Sequence, residues 1–178
     1  MFKKCCKSNN NFLYGLIIGV IGLSLISYMS GSLRFNKNGT EQIKKFEKSQ
    51  TEELVSFVDK AAQLVTEKGE SAFTEFRKVD GEWRQGEWYI FAYDLNSKTL
   101  VLPPTPEVEG TSRYNTKDSN GKFYVREMAT YLKTHNSGWI DYTYPKPGDT
   151  ESSLKLGYFK KVMVNNKPIF VGSGIYLN

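Results

Sequence analysis

Gly138-Trp139-Ile140-Asp141-Tyr142 is followed by Lys155 and Tyr158-Phe159-Lys160-Lys161-Val162, and then by Val171-Gly172-Ser173-Gly174-Ile175-Tyr176. The stretch is dense in aromatic and β-branched residues, which fit a pleated, half-buried surface. It predicts strands over 138–144, 153–164 and 169–176. Asn165-Asn166 predicts the hairpin between the last two, because asparagine tolerates the left-handed backbone of a tight turn.

Working outward, 88–94 sets Tyr89, Phe91 and Tyr93 against Ile90 and Ala92. Both faces are apolar, which predicts a central strand rather than a solvated one. Asp80-Gly81 and Gly86 mark turns after a short helical stretch around 71–77. Asn96-Ser97 turns the chain into a strand over 99–102, which Pro103-Pro104 and Pro106 end. A helix is predicted over 123–132, with Tyr124, Met128, Tyr131 and Leu132 on one stripe. Earlier still, Ile43, Phe46, Leu54, Phe57, Ala61 and Leu64 keep one stripe of a 3.6-residue period, predicting an amphipathic helix over 40–67. Ser49-Gln50-Thr51-Glu52 reads as a capping box where that helix can restart, and Gly69 as its stop. The elements add up to an α+β fold: a long N-terminal helix and a twisted antiparallel sheet flanked by helices.

The 178 residues carry a formal charge of +5. Lys3, Lys4 and Lys7 precede the apolar run 12–29, and without them 21 Lys and Arg face 19 Asp and Glu, a balance of +2. Basic residues are interspersed with acids, so no nucleic-acid footprint is present. A lysine-bearing leader before an uncharged apolar run predicts an export signal or membrane anchor over 1–32, N-terminus inside, with the remainder extracytoplasmic. Ser30-Gly31-Ser32 offers a cleavage point, in which case the product is secreted or periplasmic. Residues 33–48 read as a linker and stalk helix. Cys5 and Cys6 both precede the apolar run, so the exported part has no disulfide and depends on its core.

The order of these blocks, with Tyr89-Ile90-Phe91-Ala92-Tyr93-Asp94 and Asp118-Ser119-Asn120-Gly121-Lys122-Phe123-Tyr124-Val125-Arg126-Glu127-Met128 upstream, resembles the single Cache family of PAS-like extracytoplasmic sensor domains. The resemblance runs over 52–176 and makes 49–178 a single Cache domain. It implies a domain that binds a small molecule, commonly a small organic acid, and that is not an enzyme. Two departures stand out. Thr143 and Tyr144 occupy the places of an arginine and a second tryptophan, and Leu100-Val101-Leu102-Pro103 stands where the family often has Leu-Ala-His-Pro.

The residues themselves offer little catalytic chemistry. His135 is the single histidine, sits at a helix end and reads as a capping residue. With no second histidine and no exported cysteine, neither a metal site nor a histidine-based triad can be assembled, and no cofactor is expected. Gly172-Ser173-Gly174 lacks the following helix that a phosphate loop needs, and marks a sheet position where backbone or ligand comes close. Aromatic residues make up 14% of the chain. Any one tyrosine is most simply core, but Tyr89, Tyr93, Trp139, Tyr142, Tyr144, Tyr158 and Tyr176 include many hydroxyls, and buried hydroxyls need partners. Lys155, between Leu154 and Leu156, is either a solvated strand residue or an ammonium that binds a carboxylate. Tyr89, Phe91, Tyr93, Trp139, Tyr144, Lys155 and Tyr158 are therefore the candidate ligand-binding residues. The expected function is extracytoplasmic sensing of an organic acid or amino acid, with output through a partner protein because no transmitter follows Tyr176. The alternative is an interaction module that keeps the fold with a vestigial pocket.

Overall fold

A computed structural model describes residues 37–177, and their side chains from residue 48. Lys44–Asn178 forms one compact unit and Met1–Ile43 another. Among the described residues no helix is long and apolar enough to cross a membrane. The predicted export segment lies outside them.

Helix α1 spans Lys37–Lys68. It does not restart at the predicted capping box: Ser49 Oγ donates to Glu53 Oε1 one turn on (3.1 Å) and Thr51 Oγ1 to the carbonyl of Lys48 (2.9 Å), both compatible with an unbroken helix. Its buried stripe is Leu54, Val58, Ala61, Ala62 and Val65. Phe57 and Leu64, predicted on the stripe, flank it half-buried. Gly69, at φ +61°, terminates α1 in the left-handed conformation that glycine adopts without strain. A 3₁₀ turn over Gly69–Ser71 leads into α2, Ala72–Arg77.

The predicted strand 88–94 divides. Strands β1 (Arg84–Gln85) and β2 (Trp88–Tyr89) form a two-stranded hairpin, and β3 (Phe91–Asp94) continues into the main sheet. That sheet comprises β3, β4 (Thr99–Val101), β5 (Ser137–Pro145), β6 (Ser152–Val164) and β7 (Lys167–Tyr176), ordered β4-β3-β7-β6-β5 and antiparallel throughout. Helix α3 (Tyr124–Tyr131) precedes β5. The β6–β7 turn places Asn165 and Asn166 at φ 50° and 62°, the two positive values that a two-residue hairpin needs.

Strand alternation divides the core in two. Ile90, Ala92, Tyr158, Val162, Ile169, Val171 and Ile175 pack with α1 and α2 on one face. Tyr89, Phe91, Tyr93, Tyr142, Phe159 and Phe170 pack with Tyr124, Val125, Met128 and Leu132 around α3 on the other. Tyr131, predicted on the buried stripe of α3, is instead 44% exposed and stacks on His135 at 3.9 Å.

Loops cover both sheet edges. Thr99 of β4 exchanges bonds with the following loop, its amide donating to Thr111 O (2.9 Å) and its carbonyl accepting from Gly110 N (2.8 Å). On β5, Asp118 Oδ2 accepts the amide of Thr143 (3.0 Å), and Lys122 Nζ donates to the carbonyl of Asp141 (2.5 Å).

A Cβ at Gly172 would lie 2.4 Å from Phe91 Cζ and 2.7 Å from the carbonyl of Tyr158. Gly172→Ala should therefore cost about 1 to 3 kcal/mol, as overpacking does. Adding Phe91→Leu should recover part of that loss in chemical denaturation, and no recovery would show that the backbone contact dominates.

Candidate ligand-binding site

The α3 face of the sheet carries an unusual concentration of phenols around one amine. The β1–β2 hairpin, turning at Gly86 (φ +58°), delivers Tyr89, β5 delivers Tyr142 and Tyr144, and β7 delivers Tyr176. Lys155 of β6 stands among them with 0% of its surface exposed. Its Nζ donates to Tyr89 Oη (2.8 Å) and to Tyr176 Oη (3.4 Å), and lies 4.0, 4.5 and 6.0 Å from the ring centres of Tyr89, Tyr176 and Tyr144. Tyr176 Oη donates in turn to the carbonyl of Pro145 (2.6 Å). Gly174 makes the position possible, since a Cβ there would sit 2.6 Å from Lys155 Cε.

Among the described residues no carboxylate pairs with Lys155. Burial pushes its pKa down to about 7, and Glu87 offsets only part of that. Glu87 is itself paired with Lys146 at 2.8 Å. Burial also raises Tyr89, Tyr93 and Tyr142 well above the ordinary phenol value and Tyr176 to about 12, so their hydroxyls remain protonated donors at neutral pH.

Beside this cluster opens a cavity of about 340 Å³ whose lining includes Thr105, Arg113, Asp118, Tyr124, Thr143, Tyr144, Pro145 and Lys146. Tyr144 belongs to both places: its ring faces Lys155, it lines the cavity, and its hydroxyl is 3.2 Å from Thr105 Oγ1. Tyr124 stacks flat on Tyr142, ring centres 4.6 Å apart. Arg113 donates to Tyr124 Oη at 3.4 Å, while its Nε is enclosed without a hydrogen-bond partner.

Two carboxylates fix the loops around the opening. Glu109 accepts the amide of Leu102 (2.9 Å) on Oε1 and the Arg77 guanidinium (2.9 and 2.7 Å) on Oε2. Asp118 accepts the amides of Asn120 (2.9 Å) and Lys122 (2.8 Å) besides that of Thr143. Burial works against ionisation of Asp118, but these amide bonds outweigh it and hold the carboxyl below its usual value.

Five of the residues singled out from sequence, Tyr89, Phe91, Tyr93, Tyr144 and Lys155, share the α3 face, and Phe91 lies over Gly172. Trp139 and Tyr158 do not join them. They are cross-strand partners on the α1 face, with ring centres 4.9 Å apart. Their offsets of five from Tyr144 and three from Lys155 are odd, so strand alternation sends them to the opposite side. The same alternation places Tyr142 and Tyr176 with Tyr144 and Lys155. Arg113 lies on a loop, where no period marks it.

Lys155 makes stability depend on pH. The unfolded lysine keeps its proton to about pH 10.4, whereas the native amine releases it near 7. Between those values the unfolded state binds more protons, so stability rises with pH. Denaturant titrations at pH 7 and pH 9 should show the gain, at most about 1.4 kcal/mol per pH unit, and Lys155→Met should flatten it. An unchanged slope in the variant would mean that Lys155 is charged in the native interior.

The Cache domain family model matches residues 25–178. The methyl-accepting chemotaxis protein McpP of Pseudomonas putida is 27% identical over 92 residues, 51% of this chain and 16% of that protein's length. The fold is also that of solved sensor domains. One, from work on "carboxylic acid recognition by a Cache chemosensory domain", aligns with TM-score 0.63 and 22% identity over 76% of this chain and 98% of its own. A methyl-accepting chemotaxis protein from Vibrio parahaemolyticus gives TM-score 0.63 and 18% identity over 78% and 96%. A periplasmic sensor domain of a chemotaxis protein gives TM-score 0.56 and 23% identity over 80% and 100%. The family model covers most of the chain and the fold agrees with it, so the chain belongs to the Cache domain family.

Proposed function

We propose that this chain is an extracytoplasmic sensor that binds a small carboxylate and passes the binding event to a signalling partner, held at the membrane by its N-terminal segment. The observation that carries the proposal is Lys155, a buried amine surrounded by phenol hydroxyls and lacking a carboxylate. A carboxylate ligand would supply the missing counter-charge through a charge-assisted hydrogen bond from Lys155 and accept the hydroxyl proton of Tyr89, that of Tyr176 being held by Pro145. Support also comes from the relatives: the similar Pseudomonas protein is a chemotaxis receptor, and one fold neighbour is named for carboxylic acid recognition. Tyr89, Phe91, Tyr93 and Tyr144 would line the same side. The role is binding rather than catalysis.

One observation favours the alternative of an interaction module with a vestigial pocket, namely that Lys155 is fully covered and already bonded to two hydroxyls. Thermal melting of the full chain in mild detergent, against short carboxylates and amino acids, separates the two. A ligand at one hundred times its dissociation constant stabilises by about 2.7 kcal/mol, several degrees in melting temperature. Lys155→Met should abolish the shift while ligand-free stability holds or rises, because an apolar isostere removes the cost of burying an amine. No shift with any compound, together with capture of a protein partner, would establish the alternative.

Carboxylate binding favours the ammonium form, so above the free pKa of about 7 binding takes up a proton. Affinity should therefore fall as pH rises from 7 to 9, with proton uptake visible in buffers of different ionisation enthalpy. A pH-independent affinity would remove Lys155 from the site.

Topology has its own measurement. An alkaline phosphatase fused after Asn178 should be active, and the reverse pattern, a functional cytoplasmic reporter at that position, would exclude an extracytoplasmic domain.

A further inference from the structure

The cavity beyond Tyr144 carries positive charge of its own. Arg113 is held in place by its backbone, whose amide donates to the carbonyl of Ser97 at 2.7 Å. Its side chain lines the cavity, spends one donor on Tyr124 and leaves Nε enclosed without a partner. An enclosed guanidinium donor without an acceptor is costly, and its fork matches a carboxylate. No described carboxylate pairs with Arg113. Asp118 is committed to three backbone amides, and Thr143, on the same wall, to Ser119 at 2.6 Å.

Tyr144 connects the two places, since Lys155 itself is covered and does not line the cavity. Tyr144 faces Lys155 on one side and lines Arg113's cavity on the other, 6.2 Å from Tyr124. A monocarboxylate satisfies only one of the two cations.

Resting on the carboxylate-sensing reading above, we propose that the ligand is an organic dianion, a dicarboxylate that passes Tyr144 with one carboxylate at Lys155 and the other at the Arg113 guanidinium. Its hydrocarbon middle lies against the phenol faces. Asp149, which also lines the cavity, is the feature that works against a second negative charge and would instead suit an ammonium.

Isothermal titration of the full chain in mild detergent with succinate, glutarate, butyrate and 4-aminobutyrate tests the proposal. Succinate or glutarate should bind at least about tenfold more tightly than butyrate, the factor that one charged hydrogen bond contributes. Arg113→Gln should narrow that preference to within about threefold, and Arg113→Lys, which keeps the charge without the fork, should fall between. Butyrate binding as tightly as both dicarboxylates, or 4-aminobutyrate binding most tightly, would overturn the dianion while leaving carboxylate sensing intact. Should none of these compounds bind, nor any of the wider carboxylate panel, the sensing reading fails and the dianion with it. The wild-type comparison decides even if an Arg113 variant does not fold.

Discussion

An amine placed inside a sheet with only hydroxyl groups for company constrains everything around it. Moving a charge out of water costs several kcal/mol unless a partner compensates, and Lys155 has none of opposite sign in bonding range. The surroundings are shaped accordingly. Gly174 leaves out a side chain so that the lysine stem can lie flat, Tyr89 and Tyr176 turn their hydroxyl oxygens toward Nζ, and Tyr176 donates its own hydrogen bond to the Pro145 carbonyl. The β1–β2 hairpin, outside the main sheet, contributes one of those tyrosines and the acidic residue that most opposes the amine's deprotonation.

Aliphatic packing and the phenol cluster fall on opposite faces of the same sheet. Against α1 the contacts are aliphatic or aromatic, with Leu54, Val58, Ala61 and Val65 fully enclosed. Against α3 the apolar contacts give way to phenols, and then to a cavity where charged residues gather. The clamps at Glu109 and Asp118 fix long loops by adding side-chain carboxylate acceptors to the backbone bonds that these loops already make.

How far this was legible in the sequence depended on periodicity. The strands, the asparagine hairpin and the close approach at the glycine run followed from local chemistry, and resemblance to the Cache family supplied the order. Trp139 and Tyr158 share composition but not alternation with the other candidates: counting by twos from Lys155 and Tyr144 sends both to the α1 face and brings in Tyr142 and Tyr176. The helix stripe shifted because an aromatic side chain can cover its neighbours from the margin, so Phe57 flanks a seam whose centre is Val58 and Ala61. Arg113 carried no signal. A loop residue acquires its role from what the fold brings opposite it.

The covering of β5 has a consequence for handling the protein. Its outward amide at Thr143 is occupied by an ionised side chain rather than by another strand. Acid strong enough to protonate Asp118 weakens that acceptor, and the strand then presents free backbone groups to solution. An uncovered strand edge is a template for pairing with a second chain. Loss of solubility in acid would then begin at this edge, by intermolecular sheet extension, while the core on the α1 face is still folded.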